Sequence, residues 1–239
     1  KYCEQIAYNA LGAKQANYVS VIVMNPKNGE IMAMVNAPEF DLNNPYSLTE
    51  EFSNDTSGKS KQDLLNNMWR NQCINDTYEP GSTFKIVTAT AALSENLVSL
   101  DSTFNCPGFV VVDDRRIRCH KTTGHGSQDF VHGTMNSCNP VFVNVGLRVG
   151  VKKFYNYMDK LGLLKTTGID LPGEAGTIIH KQKNVGNVEL ATMSFGQSFQ
   201  ITPVQFLTAA SAIVNGGNLV TPHFGVEIRN ENNETVKKL

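Results

Sequence analysis

Tyr2, Ile6, Tyr8 and Leu11, with alanines between them, place an apolar stripe on one side of a predicted helix over residues 1–17. Two apolar runs follow, Tyr18–Met24 and Ile31–Val35. The intervening Asn25-Pro26-Lys27-Asn28-Gly29-Glu30 has turn chemistry, so the pair predicts a β-hairpin. Residues 36–66 are rich in Asn, Ser, Asp and Pro and show little periodicity, which predicts surface loop with short helices. Pro80-Gly81 breaks the chain ahead of Ser82. Phe84, Ile86, Val87, Ala89, Ala91, Ala92 and Leu93 then leave almost no polar face, so a buried helix is expected from near Ser82 to near Asn96. Residues 104–130 are rich in Cys, His and Gly and read as irregular. Val131–Gly150 predicts one or two helices around Ser137-Cys138-Asn139-Pro140. Lys152–Leu161 predicts another, closed by Gly162, and Pro203–Val214 a further one, closed by Gly216-Gly217. From Glu227 the chain is polar and little of it is expected to pack.

Composition narrows the classes. Of 239 residues 41% are hydrophobic, enough for a packed core and against wholesale disorder. A formal net charge of −1 gives no basis for nucleic-acid binding. No apolar run approaches the ~18 residues of a membrane span, and no signal peptide is visible. The chain opens on Lys1-Tyr2-Cys3-Glu4 without a starting Met and reads as a piece cut from something longer.

The candidate chemistry begins at Ser82-Thr83-Phe84-Lys85. On a helix, positions i and i+3 share a face about 5–6 Å apart, so Lys85 can reach the Ser82 hydroxyl. A serine is a poor nucleophile until a neighbour takes its proton, and a Lys can do so only if burial lowers its pKa. A helix N-terminus adds N–H groups beside developing negative charge. Ser137-Cys138-Asn139 is the second signal. Its Ser could relay a proton and its Asn could hold a substrate amide, although a turn or cap would use the same residues.

Taken in order, these segments carry a resemblance. Tyr78-Glu79-Pro80-Gly81-Ser82-Thr83-Phe84-Lys85 resembles the active-site segment of the penicillin-binding proteins. The hairpin from Val23 to Met34, Gly124-His125-Gly126, Ser137-Cys138-Asn139-Pro140, Thr167-Gly168-Ile169-Asp170-Leu171-Pro172-Gly173-Glu174 and Ser194-Phe195-Gly196-Gln197 are similar to further stretches of that family in the same order. The resemblance points to class B, monofunctional peptidoglycan D,D-transpeptidases of the division or sporulation type, with a serine β-lactamase or a β-lactam sensor domain as alternatives.

The resemblance implies an α/β (α+β) fold shared with serine β-lactamases: an antiparallel sheet flanked by helices, plus a helical subdomain, over 1–239. It implies Ser82 as the nucleophile towards D-alanyl-D-alanine, Lys85 as proton acceptor, Ser137 as proton shuttle and Asn139 as a substrate ligand. Peptidoglycan stem peptides and β-lactams would be the ligands, and a wall-synthesis glycosyltransferase the partner. The place of action would be the outer face of the bacterial cell membrane, with the anchor in a segment before Lys1. No cofactor is needed for the chemistry.

Two departures stand out. The family's K-[ST]-G motif is not found from Pro203 to Leu239. Lys121-Thr122-Thr123-Gly124 and Lys165-Thr166-Thr167-Gly168 carry an extra Thr and fall out of order. The domain is therefore expected to lack its C-terminal strand region, leaving the first hairpin with an unpaired sheet edge, to be completed by a second polypeptide or a further C-terminal segment. The other departure is a Cys/His stretch. Cys106, Cys119, Asp129 and His132 form a candidate structural Zn²⁺ set, with His125 or His120 as a substitute for Asp129. A Cys106–Cys119 disulfide and buried free thiols remain open beside it. Cys138 is expected only to pack.

Overall fold

The computed structural model describes residues 1–238; Leu239, the last residue of the expected domain, lies outside them. The N-terminal stripe forms helix α1 (Tyr2–Lys14), whose Ala7 is fully buried against the hairpin that follows. Strands β1 (Val19–Met24) and β2 (Ile31–Ala37) pair antiparallel, with Val21 opposite Val35. Among the described residues this sheet has two strands. Short helices α2 (Glu50–Ser53), α3 (Lys61–Met68) and α4 (Gln72–Asn75) occupy the polar loop region, α3 starting at Ser60, whose hydroxyl accepts the Asp63 N–H. The apolar run after Pro80 becomes a 3₁₀ turn, Gly81–Phe84, leading directly into α5 (Lys85–Ser94).

The stretch expected to be irregular is built. Strands β3 (Thr103–Cys106) and β6 (Gly126–Asp129) pair antiparallel, and β4 (Phe109–Val112) and β5 (Arg115–Arg118) form a hairpin between them. Four-residue strands are too short to leave a clear alternation in the sequence. Helix α6 (Phe130–Met135) follows β6 directly. Helix α7 (Asn139–Lys160) joins two expected helices into one, broken at Gly150, whose φ of 74° and ψ of 156° are not helical. Helix α8 (Asn187–Met193) escaped the periodicity reading because it is only two turns long. Helix α9 (Pro203–Val214) has the predicted bounds. Thr202 caps its first turn and Gln205 reaches back to the Thr202 N–H. The polar tail forms a small exposed hairpin, β7 (Glu227–Arg229) with β8 (Thr235–Lys238).

The main core lies where α5, α7 and α8 meet, with Phe84, Val87, Phe142, Val145 and Met193 almost wholly buried. Close approach of α7 and α8 depends on Gly146: a Cβ there would stand 2.3 Å from Ser194 Cβ. Gly146→Ala is therefore expected to cost about 1–3 kcal/mol as α8 is pushed away. A urea melt checks it, and an unchanged midpoint would remove the close-approach account. Strands β3, β4 and β5 pack against α7, and the Cys/His stretch meets Cys138 beside the Ser137 turn.

Candidate active site

Ser82 lies in the 3₁₀ turn, not at an α-helical N-cap, and Lys85 is the first residue of α5. The i, i+3 relation holds across the junction: Lys85 Nζ is 3.1 Å from Ser82 Oγ. The amine also reaches the Ser137 carbonyl oxygen at 2.7 Å, Ser137 Oγ at 3.0 Å and Asn139 Oδ1 at 2.8 Å. One cation thus ties both motifs together. Lys85 is 4% exposed, and that burial pushes its ammonium down from 10.5 to about 8, against an opposing pull from the Cys138 and Cys119 sulfurs. The ring of Phe142 lies 5.4 Å from Nζ and closes the apolar side of the amine.

Ser137 stands at the α6–α7 junction with φ +47°, a left-handed conformation that turns its carbonyl and hydroxyl towards Lys85. The turn is fastened by N–H bonds from Ser137 to Thr134 O and from Cys138 to Gly133 O. Asn139 opens α7. Its Oδ1 accepts from Lys85 and its Nδ2 donates to Arg118 O at 3.2 Å, so the amide bridges the amine to the end of β5. The structure brings Ser82, Lys85, Ser137 and Asn139 together. A hydroxyl, a partly deprotonatable amine and a second hydroxyl in contact can pass a proton from one oxygen to another.

Of the expected metal ligands the structure brings together Cys106, Cys119 and the substitute His125, and leaves out Asp129, His132 and His120. Cys106, Cys119, His125 and Cys138 bring one ligand atom each to within 4.8 Å of one another. The Cys119 Sγ to His125 Nδ1 distance is 3.6 Å. Zn–S and Zn–N bonds of ~2.3 and ~2.1 Å in a tetrahedron call for about 3.6 Å on that edge. Asp129 and His132 are outside the cluster. The Asp129 carboxylate caps α6 by accepting the His132 N–H at 2.7 Å and holds His132 Nδ1 at 2.8 and 2.9 Å, and the imidazole is exposed. That N–H bond, together with the ring, lowers the Asp129 carboxyl. His120 Nδ1 is 3.9 Å from Cys119 Sγ and stacks obliquely on His125, but it is not a member of the cluster either.

Cys138, expected only to pack, belongs to the set. Its position between Ser137 and Asn139 hid it, since the neighbours on both sides face the amine. All five cysteines are free thiols, so the Cys106–Cys119 disulfide is not formed. Burial would raise the Cys106 thiol, yet N–H bonds from His125 and Gly108 and the nearby sulfurs leave it below its ordinary value. Burial pushes Cys138 up to about 12 and, with His120 and Lys121 alongside, lowers His125, which keeps the imidazole in its neutral, ligating form.

The comparisons agree on one family. The profile described as "Penicillin binding protein transpeptidase domain" matches residues 19–239. Stage V sporulation protein D of Bacillus subtilis is 43% identical over 219 residues, covering 91% of this chain and 32% of its own length. Peptidoglycan D,D-transpeptidase MrdA of Haemophilus influenzae is 30% identical, covering 85% of this chain and 32% of its own length. Penicillin binding protein 3 of Mycobacterium tuberculosis, crystallised with aztreonam, superposes with a TM-score of 0.84 at 24% identity over 100% of this chain and 50% of that one. The chain spans about a third of the length of these curated relatives. The structural likeness confirms the expected fold shared by these transpeptidase domains.

Proposed function

This chain belongs to the penicillin-binding protein transpeptidase domain family, and on that premise we propose that it cross-links peptidoglycan stem peptides through an acyl-enzyme on Ser82. The observation that carries the reading is the single amine of Lys85 in contact with Ser82 Oγ, Ser137 Oγ and Asn139 Oδ1. In this reading Ser82 Oγ attacks the carbonyl of the penultimate D-alanine while its proton passes to neutral Lys85. The tetrahedral oxyanion collapses and the C–N bond breaks. Ser137 hands the proton to the departing amine, and free D-alanine leaves. An amine of a second stem then attacks the ester, gives its proton back through the same pair, and restores the Ser82 hydroxyl. Asn139 holds the donor peptide by its side-chain amide.

Relatives named as D,D-transpeptidases favour this over a β-lactamase or a sensor. β-Lactams fit as acylating mimics of the donor. The reading places the reaction outside the cytoplasmic membrane, beside a wall-synthesis glycosyltransferase. Among the described residues no helix is long and apolar enough to cross a bilayer. The K-[ST]-G strand is not in this sequence, and the reading assigns it to a segment or polypeptide outside these residues.

A structural zinc belongs to the same reading, held by Cys106, Cys119, His125 and Cys138. The donor set fits: three soft sulfurs on buried cysteines and a half-buried imidazole bring four ligand atoms within 4.8 Å of one another, the number that a closed structural site would use. Bound there, the metal supplies no chemistry; it ties the β3–β6 stretch to the start of α7.

The function is tested by adding a fluorescent penicillin to the protein as its cells make it. One label per chain on the Ser82 peptide, stable for many minutes and lost in Ser82→Ala, is expected. Label on another residue, or release within seconds, would overturn the transpeptidase reading, the second outcome in favour of a β-lactamase.

A further inference from the structure

We propose that Glu79 is a positioning residue for Ser82, acting through the turn at Ser198. The proposal rests on the serine-nucleophile reading above and adds to it the part that aims the serine.

The strip leading to Ser82 is laced to residues 194–201, far along the chain. Tyr78 and Ile201 exchange both backbone bonds, at 3.0 and 3.1 Å. The Ser198 N–H donates to Glu79 Oε1 at 2.8 Å, and the Gly81 N–H donates to Gly196 O at 2.9 Å. Beyond the serine, Thr88 Oγ1 donates to the Ser194 carbonyl at 2.7 Å. Ser82 is thus held from both sides by one distant segment, Ser194 to Ile201.

That segment touches the serine's turn main chain to main chain. Gly81 has φ +57° and Gly196 φ +84°. A Cβ on Gly196 would stand 2.1 Å from Gly81 O, so nothing soft lies between the two turns. Any shift at residues 196–198 passes to Gly81, and Gly81 is bonded to Ser82. Ser198 itself sits at φ +66°, a conformation a non-glycine residue keeps only when held. Its holders are Glu79, through the N–H, and the Thr192 hydroxyl at 2.8 Å.

Glu79 is the one fastening that can be cut without opening the core, because its side chain is exposed while Thr88 and Gly196 lie inside. Among the described residues no cation pairs with Glu79, and Lys85 does not reach it. What Glu79 contributes is an acceptor oxygen at a fixed place, not a charge. An amide oxygen can do the same.

A misplacement of about 1 Å at a reacting atom can cost ~10²-fold in rate, so a partly loosened turn should cost roughly tenfold. In Glu79→Ala the acylation rate constant with penicillin is expected to fall roughly tenfold, while the non-covalent binding constant, the midpoint of the pH profile and the melting temperature stay put. Glu79→Gln should recover the rate to within about twofold, since its oxygen still accepts the Ser198 N–H. Amide exchange at Gly81 reads the same fastening without chemistry: faster in Glu79→Ala, unchanged in Glu79→Gln. Wild-type acylation and wild-type Gly81 protection in Glu79→Ala would overturn the proposal. A Glu79→Gln as slow as Glu79→Ala would overturn it too, in favour of a charge effect. A wild-type protein that never acylates counts against the nucleophile reading instead, and Gly81 exchange then still decides the positioning role.

Discussion

Replacing Lys85 by alanine is expected to slow acylation of Ser82 by about 10³-fold, the largest effect of any single side chain beside the serine itself. The reason is the number of tasks on one amine. Lys85 Nζ touches Ser82 Oγ, Ser137 Oγ and Asn139 Oδ1, the groups that the proposed function makes nucleophile, shuttle and substrate ligand, and no other ionisable group contacts Ser82 Oγ among the described residues. Burial lowers its pKa from 10.5 to about 8. The amine is therefore mostly protonated at neutral pH and becomes a base just above it. Acylation should rise with pH, close to tenfold per unit below about 8, and level off beyond. A profile flat through that range, or a Lys85→Ala protein that acylates at the wild-type rate, would sink the assignment.

The same shift has a stability consequence with a definite sign. Between about 8 and 10.5 the unfolded chain holds the Lys85 proton and the folded chain does not. Stability gained from this group is therefore absent below about 8 and grows as pH rises towards 10.5. Lys85→Met should flatten that part of the stability profile, which melts across the window would read directly.

What could be read from the chain and what could not separates along a physical line. The Ser82–Lys85 contact is local, set by i, i+3 spacing, and survived even though the serine turned out to lie in a 3₁₀ turn. Helix α9 was legible to the residue because Thr202, Pro203 and the closing glycines are local signals. The bonds from Lys85 to Ser137 and Asn139 join positions that only the packed α5–α7 pair brings together, so spacing alone could not reveal them; the family resemblance could. Asp129 and His132 show the opposite failure. Their spacing does place them on one face, but a carboxylate at a helix start is satisfied by the backbone N–H groups there and by its own histidine. Local capping won over a ligand role. Cys138 was hidden because its neighbours Ser137 and Asn139 both face the amine, and only the packed fold brings its own sulfur to Cys106, Cys119 and His125.

Stripping the Cys/His cluster of metal is the second large effect to expect. Purified under reducing conditions, the protein should carry about one zinc per chain, and a chelator should lower its melting temperature by many degrees, since structural zinc contributes up to ~10–16 kcal/mol in small zinc folds. Cys106→Ser and Cys138→Ser should each lose the metal, because each removes one of the four proposed ligands. Asp129→Asn and His132→Asn should keep it, because those side chains pair with each other at the surface. The two pairs of variants discriminate sharply: zinc kept in the cysteine variants and lost in the Asp129 or His132 variants would restore the ligand set expected from spacing and refute the one proposed from geometry. Zinc absent from the wild type would remove the metal altogether and leave a cluster of free thiols. The stake reaches the chemistry, because Cys138 is covalently between Ser137 and Asn139. In the zinc reading a ligand bond at Cys138 would fasten the Ser137 turn through the neighbouring peptide. The chelated protein should therefore lose acylation rate before it loses its fold, as the turn that presents Ser137 Oγ and Asn139 Oδ1 to the amine is released.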